Sequence, residues 1–190
     1  MARQRRPRDD DPPGHSFDEF YEANVQRLTL MLYAYTADLH LAQDCVQEAF
    51  TRAWPRWRRL VEYDNPAAWI RRVALNIASS RWQRMRAARA HAHLHPQTVV
   101  DGPGPERVAL ARALATLPER HRRVLVLFHI ADLSIAEIAA QEMVSEGTVK
   151  SWLHCGRAAL ASALRHRERG SPCLRLTFMN CSNASRAEVP

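Results

Sequence analysis

The residues of this chain whose types and spacing best suit recognition chemistry are Thr148, Lys150, Ser151 and His154. Their hydroxyl, ammonium and imidazole groups can hydrogen-bond to base edges or hold phosphates. On a helix beginning near Ser145, these side chains stay outside, away from the apolar positions. The pattern predicts a helix that enters the major groove of DNA.

Two short helices joined by a tight turn are predicted to position these side chains. Ser134 and Glu137 have the spacing of a capping box, which starts the first helix. Ser145 starts the second, because its hydroxyl can accept from the amide of Thr148. The apolar positions expected to be buried are Ile135, Ile138, Ala139, Val149, Leu153 and Leu160. Together they predict a helix-turn-helix.

A basic helix is predicted after Asn65, which suits an N-cap, with Pro66 at the first helical position. Its buried stripe would be Trp69, Ile70, Val73, Ala74 and Ile77. Its remaining surface mixes cations, amides and hydroxyls at Arg71, Arg72, Asn76, Ser79, Ser80, Arg81, Gln83 and Arg84. This surface suits a nucleic-acid strand. The simpler alternatives are a solvated face and a core position for Trp82.

Another amphipathic helix is predicted from Leu41 to Trp57. Its apolar stripe is Leu41, Cys45, Val46, Ala49, Phe50, Ala53, Trp54 and Trp57. Its other face carries Gln43, Asp44, Gln47, Glu48 and Arg52. This polar face is either simply solvated, with Glu48 and Arg52 paired one turn apart, or a docking surface for a basic partner.

The net charge of +7 over 190 residues favours a polyanionic partner. Almost all of the cations are arginines, with Lys150 the only lysine, which weakens any argument from the arginine count alone. No apolar run approaches the roughly 20 residues of a membrane span, and no signal peptide is evident. We therefore expect a cytoplasmic protein without membrane insertion.

Enzymatic chemistry is not indicated. The sequence contains no glycine-rich phosphate loop, nucleophile motif or metal-ligand spacing, so we expect neither catalysis nor a cofactor. The four cysteines are far apart and lack CxxC spacing, and Cys45 is expected in the core. His91, His93 and His95 could bind a metal, although loop composition explains them more simply.

Segments rich in proline, glycine or charge divide the chain, and the parts between them have helical periodicity. We therefore predict an all-α fold of two small helical domains joined by a flexible linker, the second containing the helix-turn-helix. The predicted segments are a disordered basic start at 1–15, a first domain at 16–90, a linker at 91–104, a second domain at 105–168 and a disordered tail at 169–190. A docking segment built on Leu174, Leu176, Phe178 and Met179 is the alternative for the tail.

These segments, taken in order, resemble a bacterial RNA polymerase sigma factor of the extracytoplasmic-function group. DCVQEAFTRAW at 44–54 resembles the helix that docks on core polymerase, and NPAAWIRRVALNIASSRWQR at 65–84 resembles the helix that recognises and opens the minus-ten element. LATLPERHRRVLVLFHIADLSIAEIA followed by SEGTVKSWL resembles the region that binds the minus-35 element.

The resemblance implies a role for three sets of residues. Polymerase docking would use Asp44, Gln47 and Glu48. Minus-ten recognition would use Arg72, Asn76, Ser80, Arg81, Gln83 and Arg84, and the loop at 61–65 falls where relatives hold a flipped base. Minus-35 recognition would use Ser145, Gly147, Thr148, Lys150, Ser151, His154 and Arg157. Removing Asp44 and Glu48 is expected to abolish docking without unfolding the chain, because exposed charges contribute little to stability.

Several positions depart from the family pattern. Glu142 and Met143 stand where relatives place leucine and glycine, so we expect Glu142 to point outward and Met143 to turn into the core. Trp152 and Cys155 stand where relatives often carry arginines that contact the DNA backbone, which predicts fewer phosphate contacts. Ser80 replaces a common acidic residue.

The partners implied by the resemblance are core RNA polymerase, promoter DNA and an anti-sigma protein, and the free chain is expected to be a monomer. The alternative function is a helix-turn-helix transcriptional regulator that does not bind core polymerase. Regulators of that kind usually dimerise on palindromic sites, so dependence of DNA binding on core polymerase distinguishes the two.

Overall fold

The computed structural model describes residues 16–92 and 104–168, and the elements in both ranges are helical, which confirms the all-α prediction. In chain order they are α1 (Phe17–Thr36), α2 (Leu39–Ala53), a 3-10 turn (Trp54–Arg56), α3 (Trp57–Leu60), α4 (Pro66–Ala92), α5 (Pro105–Ala115), α6 (Glu119–His129), α7 (Ile135–Glu142) and α8 (Glu146–Glu168). The predicted basic start, the histidine side chains of the linker and the tail lie outside the described residues.

The chain divides into two compact units, with the division between Ala111 and Arg112, inside α5. Local capping signals set the helix starts of the first unit. Asp38 caps α2 by accepting from the amide of Leu41 at 3.0 Å. Asn65 caps α4 in the same way, through the amide of Ala68 at 2.9 Å, and the predicted cap is confirmed.

Helices α1, α2 and α4 pack together to form the core of the first unit. Its fully buried side chains include Leu32, Tyr35, Ala42, Cys45, Val46, Ala49, Ala53, Ile70, Ala74, Leu75 and Ala78. The core position predicted for Cys45 is confirmed. Burial raises the pKa of the Cys45 thiol to about 11, so the group stays protonated at neutral pH.

An aromatic cluster closes one end of this unit and corrects one prediction. Phe17 makes edge contacts with Phe50, Trp54 and Trp57 at centroid distances of 6.0, 4.8 and 5.2 Å. However, α2 ends at Ala53, because Pro55 has no amide proton and the chain tightens into a 3-10 turn. The prediction of one helix through Trp57 with Trp54 buried is therefore wrong, and Trp54 is 47% exposed.

In the second unit, α8 packs against both α6 and α7. The predicted capping box is confirmed: Ser134 Oγ accepts from the amide of Glu137, and the Glu137 carboxylate accepts from the amide of Ser134 at 2.8 Å. The buried apolar residues of this unit include Leu114, Leu117, Val124, Leu125, Val126, Leu127, Leu133, Ile138, Ala139, Val149 and Leu153. Ile135 and Leu160, also predicted in the stripe, are half-buried.

Gly156 permits the close approach of α8 to α6. A Cβ atom at this position would lie 3.1 Å from Leu125 Cδ1 and 3.2 Å from Leu125 Cγ. We expect Gly156→Val to lower the free energy of unfolding of the second unit by about 2 kcal/mol, measured by urea denaturation, because overpacking forces neighbours off their rotamers. Gly147→Val is the matched control, since a Cβ there meets nothing closer than Ser145 Oγ at 3.8 Å. Equal stability of both variants would refute this account of the helix contact.

Candidate functional site

The α8 surface comprises Ser145, which precedes α8, and six residues of α8 that were predicted to contact DNA: Gly147, Thr148, Lys150, Ser151, His154 and Arg157. All are exposed except Thr148, which is half-buried. The opposite side of the helix is anchored in the core by Val149 and Leu153. The structure therefore presents these residues together on the outside of the second unit.

The start of the α8 surface is held by its own side chains. Ser145 Oγ accepts from the amide of Thr148 at 3.2 Å and lies 2.9 Å from Thr148 Oγ1. The Lys150 ammonium is 3.6 Å from the Glu146 carboxylate, with both side chains more than half exposed. An exposed pair of this kind contributes only a few tenths of a kcal/mol, so Lys150 can exchange Glu146 for a phosphate at little cost.

Arg157 is the member of the α8 surface that is tied to another helix. Its Nε donates to His129 Nε2 at 3.3 Å, and its guanidinium carbon lies 5.3 Å from the Phe128 ring centroid. Burial, followed by the charge of Arg157, lowers the pKa of His129, which keeps the imidazole neutral and able to accept. Reaching DNA would require Arg157 to leave this contact.

At the turn between α7 and α8, the predicted orientations of Glu142 and Met143 are both wrong. Glu142 does not point outward: its carboxylate accepts from Arg123 Nε at 2.8 to 2.9 Å, and the two side chains are 15% and 13% exposed. Met143 is not in the core but 80% exposed. The reason is that Met143 takes the left-handed C-cap conformation, which turns its side chain to solvent while its amide donates to Ala139 O.

Met143 holds a backbone conformation that favours glycine, with φ 56° and ψ 46°. Its exposed side chain gains little from burial, so we expect Met143→Gly to raise the free energy of unfolding by about 0.5 to 1 kcal/mol. The midpoint of urea denaturation measures this. Met143→Ala keeps the Cβ atom and should change little. The account fails if the glycine variant is no more stable than the alanine variant.

The α4 surface comprises the exposed residues that the sequence analysis assigned to the minus-ten element: Arg72, Asn76, Ser80, Gln83 and Arg84. They recur at three- and four-residue spacing and therefore share one side of α4. Arg84 donates to the carbonyl oxygen of Ser80 at 3.2 Å and to its hydroxyl at 3.3 Å, which holds the guanidinium against the helix. Trp82 is half-buried.

Arg81 was assigned to the same DNA set, but the structure places it on another side of α4. Its guanidinium forms an ion pair with Glu48 on α2 and is 35% exposed. Glu48 also pairs with Arg52 one turn along α2, as predicted. One residue assigned to DNA and one assigned to polymerase are therefore in contact with each other.

The α2 surface consists of Asp44, Gln47 and Glu48. Asp44 and Gln47 are exposed, whereas the Glu48 side chain is only 28% exposed. Gln47 donates from Nε2 to the Tyr21 hydroxyl on α1 at 2.6 Å. The three residues lie within two turns of one helix, and two of them are held by partners on α1 and α4.

Comparison with known proteins identifies both units. Sigma-70 region 2 matches residues 20–88, and Sigma-70, region 4 matches residues 107–160. The chain is 33% identical over 157 residues to the ECF RNA polymerase sigma factor SigL of Mycobacterium tuberculosis, covering 78% of this chain and 86% of that protein. The chain belongs to the extracytoplasmic-function family of RNA polymerase sigma factors.

Two solved structures share the fold of this sigma factor. The sigma factor RpoE, in a co-crystal structure with the anti-sigma factor NepR from Bartonella quintana, matches with a TM-score of 0.65 at 21% identity, over 78% of this chain and 96% of that chain. CnrH in complex with the cytosolic domain of CnrY matches with a TM-score of 0.59 at 25% identity, over 79% of this chain and 88% of that chain.

The chain functions as an alternative sigma factor, which confirms the function predicted from the sequence. The family membership that was inferred from the docking, minus-ten and minus-35 segments is also confirmed. Within the described ranges, none of the helices combines the length and apolarity needed to cross a membrane.

Sequence reasoning missed the partners that hold Gln47 of the α2 surface and Glu142 at the end of α7 in this sigma factor. Tyr21 positions Gln47, and Arg123 neutralises Glu142. Trp152 is half-buried, and it lines a groove of the second unit together with Pro118 and the Arg123–Glu142 pair. No local signal marked these contacts, because each joins helices that are distant in sequence.

Proposed function

We propose that this sigma factor docks on core RNA polymerase through the α2 surface and binds promoter DNA through the α4 and α8 surfaces. The observation that carries the proposal is that each surface lies on a helix whose opposite face is buried in a core. Such helices present their polar side chains on a rigid support, which lowers the entropy lost on binding.

The α8 surface is proposed to read the minus-35 element from the major groove. Ser151 and His154 lie on its exposed side and offer hydrogen bonds to base edges, while Lys150 is free to exchange its weak pair for a phosphate. Trp152 and Cys155 supply no cation where the family often has one. We therefore expect a shallower salt dependence of binding than a sigma factor with arginines at both positions.

The α4 surface is proposed to recognise the minus-ten element and to assist its opening. Arg72 offers a charge to phosphates, and the amides of Asn76 and Gln83 suit base edges. The preceding loop at 61–65 would hold a flipped base, and its exposed Tyr63 offers an aromatic face for stacking. Captured bases offset the cost of unpairing, which is a few kcal/mol for each flipped base.

We further propose that the free chain is a cytoplasmic monomer held inactive by an anti-sigma protein. The likeness to CnrH, whose structure was solved in complex with the cytosolic domain of CnrY, supports a protein partner, and the anti-sigma role follows from the family resemblance. The chain itself contributes binding energy rather than bond making, and nucleotide addition belongs to the polymerase.

Run-off transcription with bacterial core RNA polymerase tests the proposal. The chain is added to core and a library of promoter fragments, and transcripts that depend on it are sequenced. We expect such transcripts with the wild-type chain and their loss with Lys150→Ala plus Ser151→Ala, while core binding is retained. Failure to bind core, with retained binding to duplex DNA, would instead indicate a helix-turn-helix regulator.

A further inference from the structure

The Glu48 carboxylate bridges two helices. One of its oxygens accepts from Arg52 on α2 and the other from Arg81 on α4. Its side chain is 28% exposed, so the group lies at the surface but is held from both sides. Among the three residues of the α2 surface, Glu48 is the one joined to α4 by an ion pair.

The position of Arg81 along α4 explains why it faces α2. Arg81 lies three and four residues after Ala78 and Ile77, which are buried in the core. With about 100° of rotation per residue, Arg81 projects on the side opposite Arg72, nine residues earlier, and about 60° from Arg84 at the edge of the α4 surface. A DNA strand lying along the α4 surface would therefore meet Arg72 but not the Arg81 guanidinium while that group pairs with Glu48.

The ion pair with Arg81 lowers the conformational entropy that the Glu48 side chain would lose on docking. A surface carboxylate on a flexible side chain samples several rotamers and loses that freedom when it binds. Arg81 removes part of this cost in advance, as Tyr21 does for the neighbouring Gln47 through its hydroxyl at 2.6 Å. Each of these two α2 residues is thus oriented by a different helix before a partner arrives.

We infer that Arg81 is a positioning residue for polymerase docking, which it serves by holding the Glu48 carboxylate, and that it is not a DNA contact. The inference rests on the proposed function of the α2 surface. Arg81 then no longer belongs to the residues assigned to the minus-ten element. Its ion pair with Glu48 links α4, which carries the proposed DNA surface, to α2, which carries the proposed docking surface.

Three variants of the full-length chain test this inference: Arg81→Met, Arg81→Lys and the exposed control Arg72→Met. The affinity for core polymerase is measured by titration, and promoter opening is measured on the preassembled holoenzyme at saturating chain. We expect Arg81→Met to weaken core binding about tenfold, Arg81→Lys to restore most of it, and neither to change opening at saturation. Arg72→Met should leave core binding unchanged and impair opening.

A double-mutant cycle separates positioning from a general structural effect. In a Glu48→Ala background, Arg81→Met is expected to cause no further loss of core affinity. Equal losses of core affinity in the wild-type and Glu48→Ala backgrounds would overturn the inference. Wild-type core affinity of Arg81→Met would overturn it too. So would a loss of promoter opening by Arg81→Met as large as that caused by Arg72→Met. Should Arg81→Met unfold the chain, as judged by circular dichroism, Arg81→Gln replaces it in the same cycle, and wild-type core affinity of that variant overturns the inference. A wild-type chain that does not bind core would overturn the proposed function itself.

Discussion

Replacing Asp44 with alanine is expected to weaken binding to core RNA polymerase by about 30-fold, the effect of losing a central interface contact. Asp44 is exposed on α2, where its charge suits a basic partner, and its truncation would leave a cation of that partner unpaired. Because the side chain is exposed, the free energy of unfolding should change by less than about 0.5 kcal/mol. Titration of labelled core polymerase with each chain measures the loss, which should shrink at high salt.

Glu22→Ala is the matched control, because it removes an exposed acid from α1 rather than from the α2 surface. Glu48 is a poorer probe than the sequence suggested, since its removal also leaves Arg52 and Arg81 without their shared carboxylate. A loss of affinity would then combine the lost docking contact with the rearrangement of these two arginines. Wild-type affinity of Asp44→Ala would contradict the assignment of Asp44 to the docking site.

Arg123→Ala is expected to destabilise the second unit strongly for a change to a single polar side chain. It would leave the Glu142 carboxylate at 15% exposure without its cation. Breaking a buried ion pair from one side costs about 3 to 5 kcal/mol, and the residual exposure here lowers our expectation to about 2 kcal/mol. Since about 1 kcal/mol moves the midpoint of a small domain by 4 to 8 °C, thermal unfolding should shift down by about 10 °C.

Two further variants identify the cause of that shift. Arg120→Ala removes an exposed arginine from the same helix and should leave the melting temperature nearly unchanged. Arg123→Met combined with Glu142→Leu should recover most of the stability, because an apolar pair can replace a buried ion pair. A melting temperature of Arg123→Ala close to that of wild type would mean that water, rather than Arg123, solvates Glu142.

Helix starts were predictable because capping is local. Asn65, Ser134 and Ser145 each bond to an amide three residues later, so a short stretch of sequence contains both partners. Helical periodicity likewise identified Ile70, Ile138 and Val149 as core residues. Thr148, Lys150, Ser151 and His154 of the α8 surface followed from the same periodicity, whereas Ser145, Gly147 and Arg157 followed from the family resemblance.

The amino-acid sequence by itself determined the starts of α4, α7 and α8, the polar faces of α2, α4 and α8, and the family to which the chain belongs. Only the tertiary structure decided which side chains on those faces form ion pairs or hydrogen bonds with another helix. Arg81 meets Glu48 across 33 residues, and Arg123 meets Glu142 across 19. Such partners depend on the rotation and spacing of packed helices, and periodicity does not specify either quantity. That is why Glu142 turned inward, and why Arg81 faces α2 rather than the predicted DNA surface.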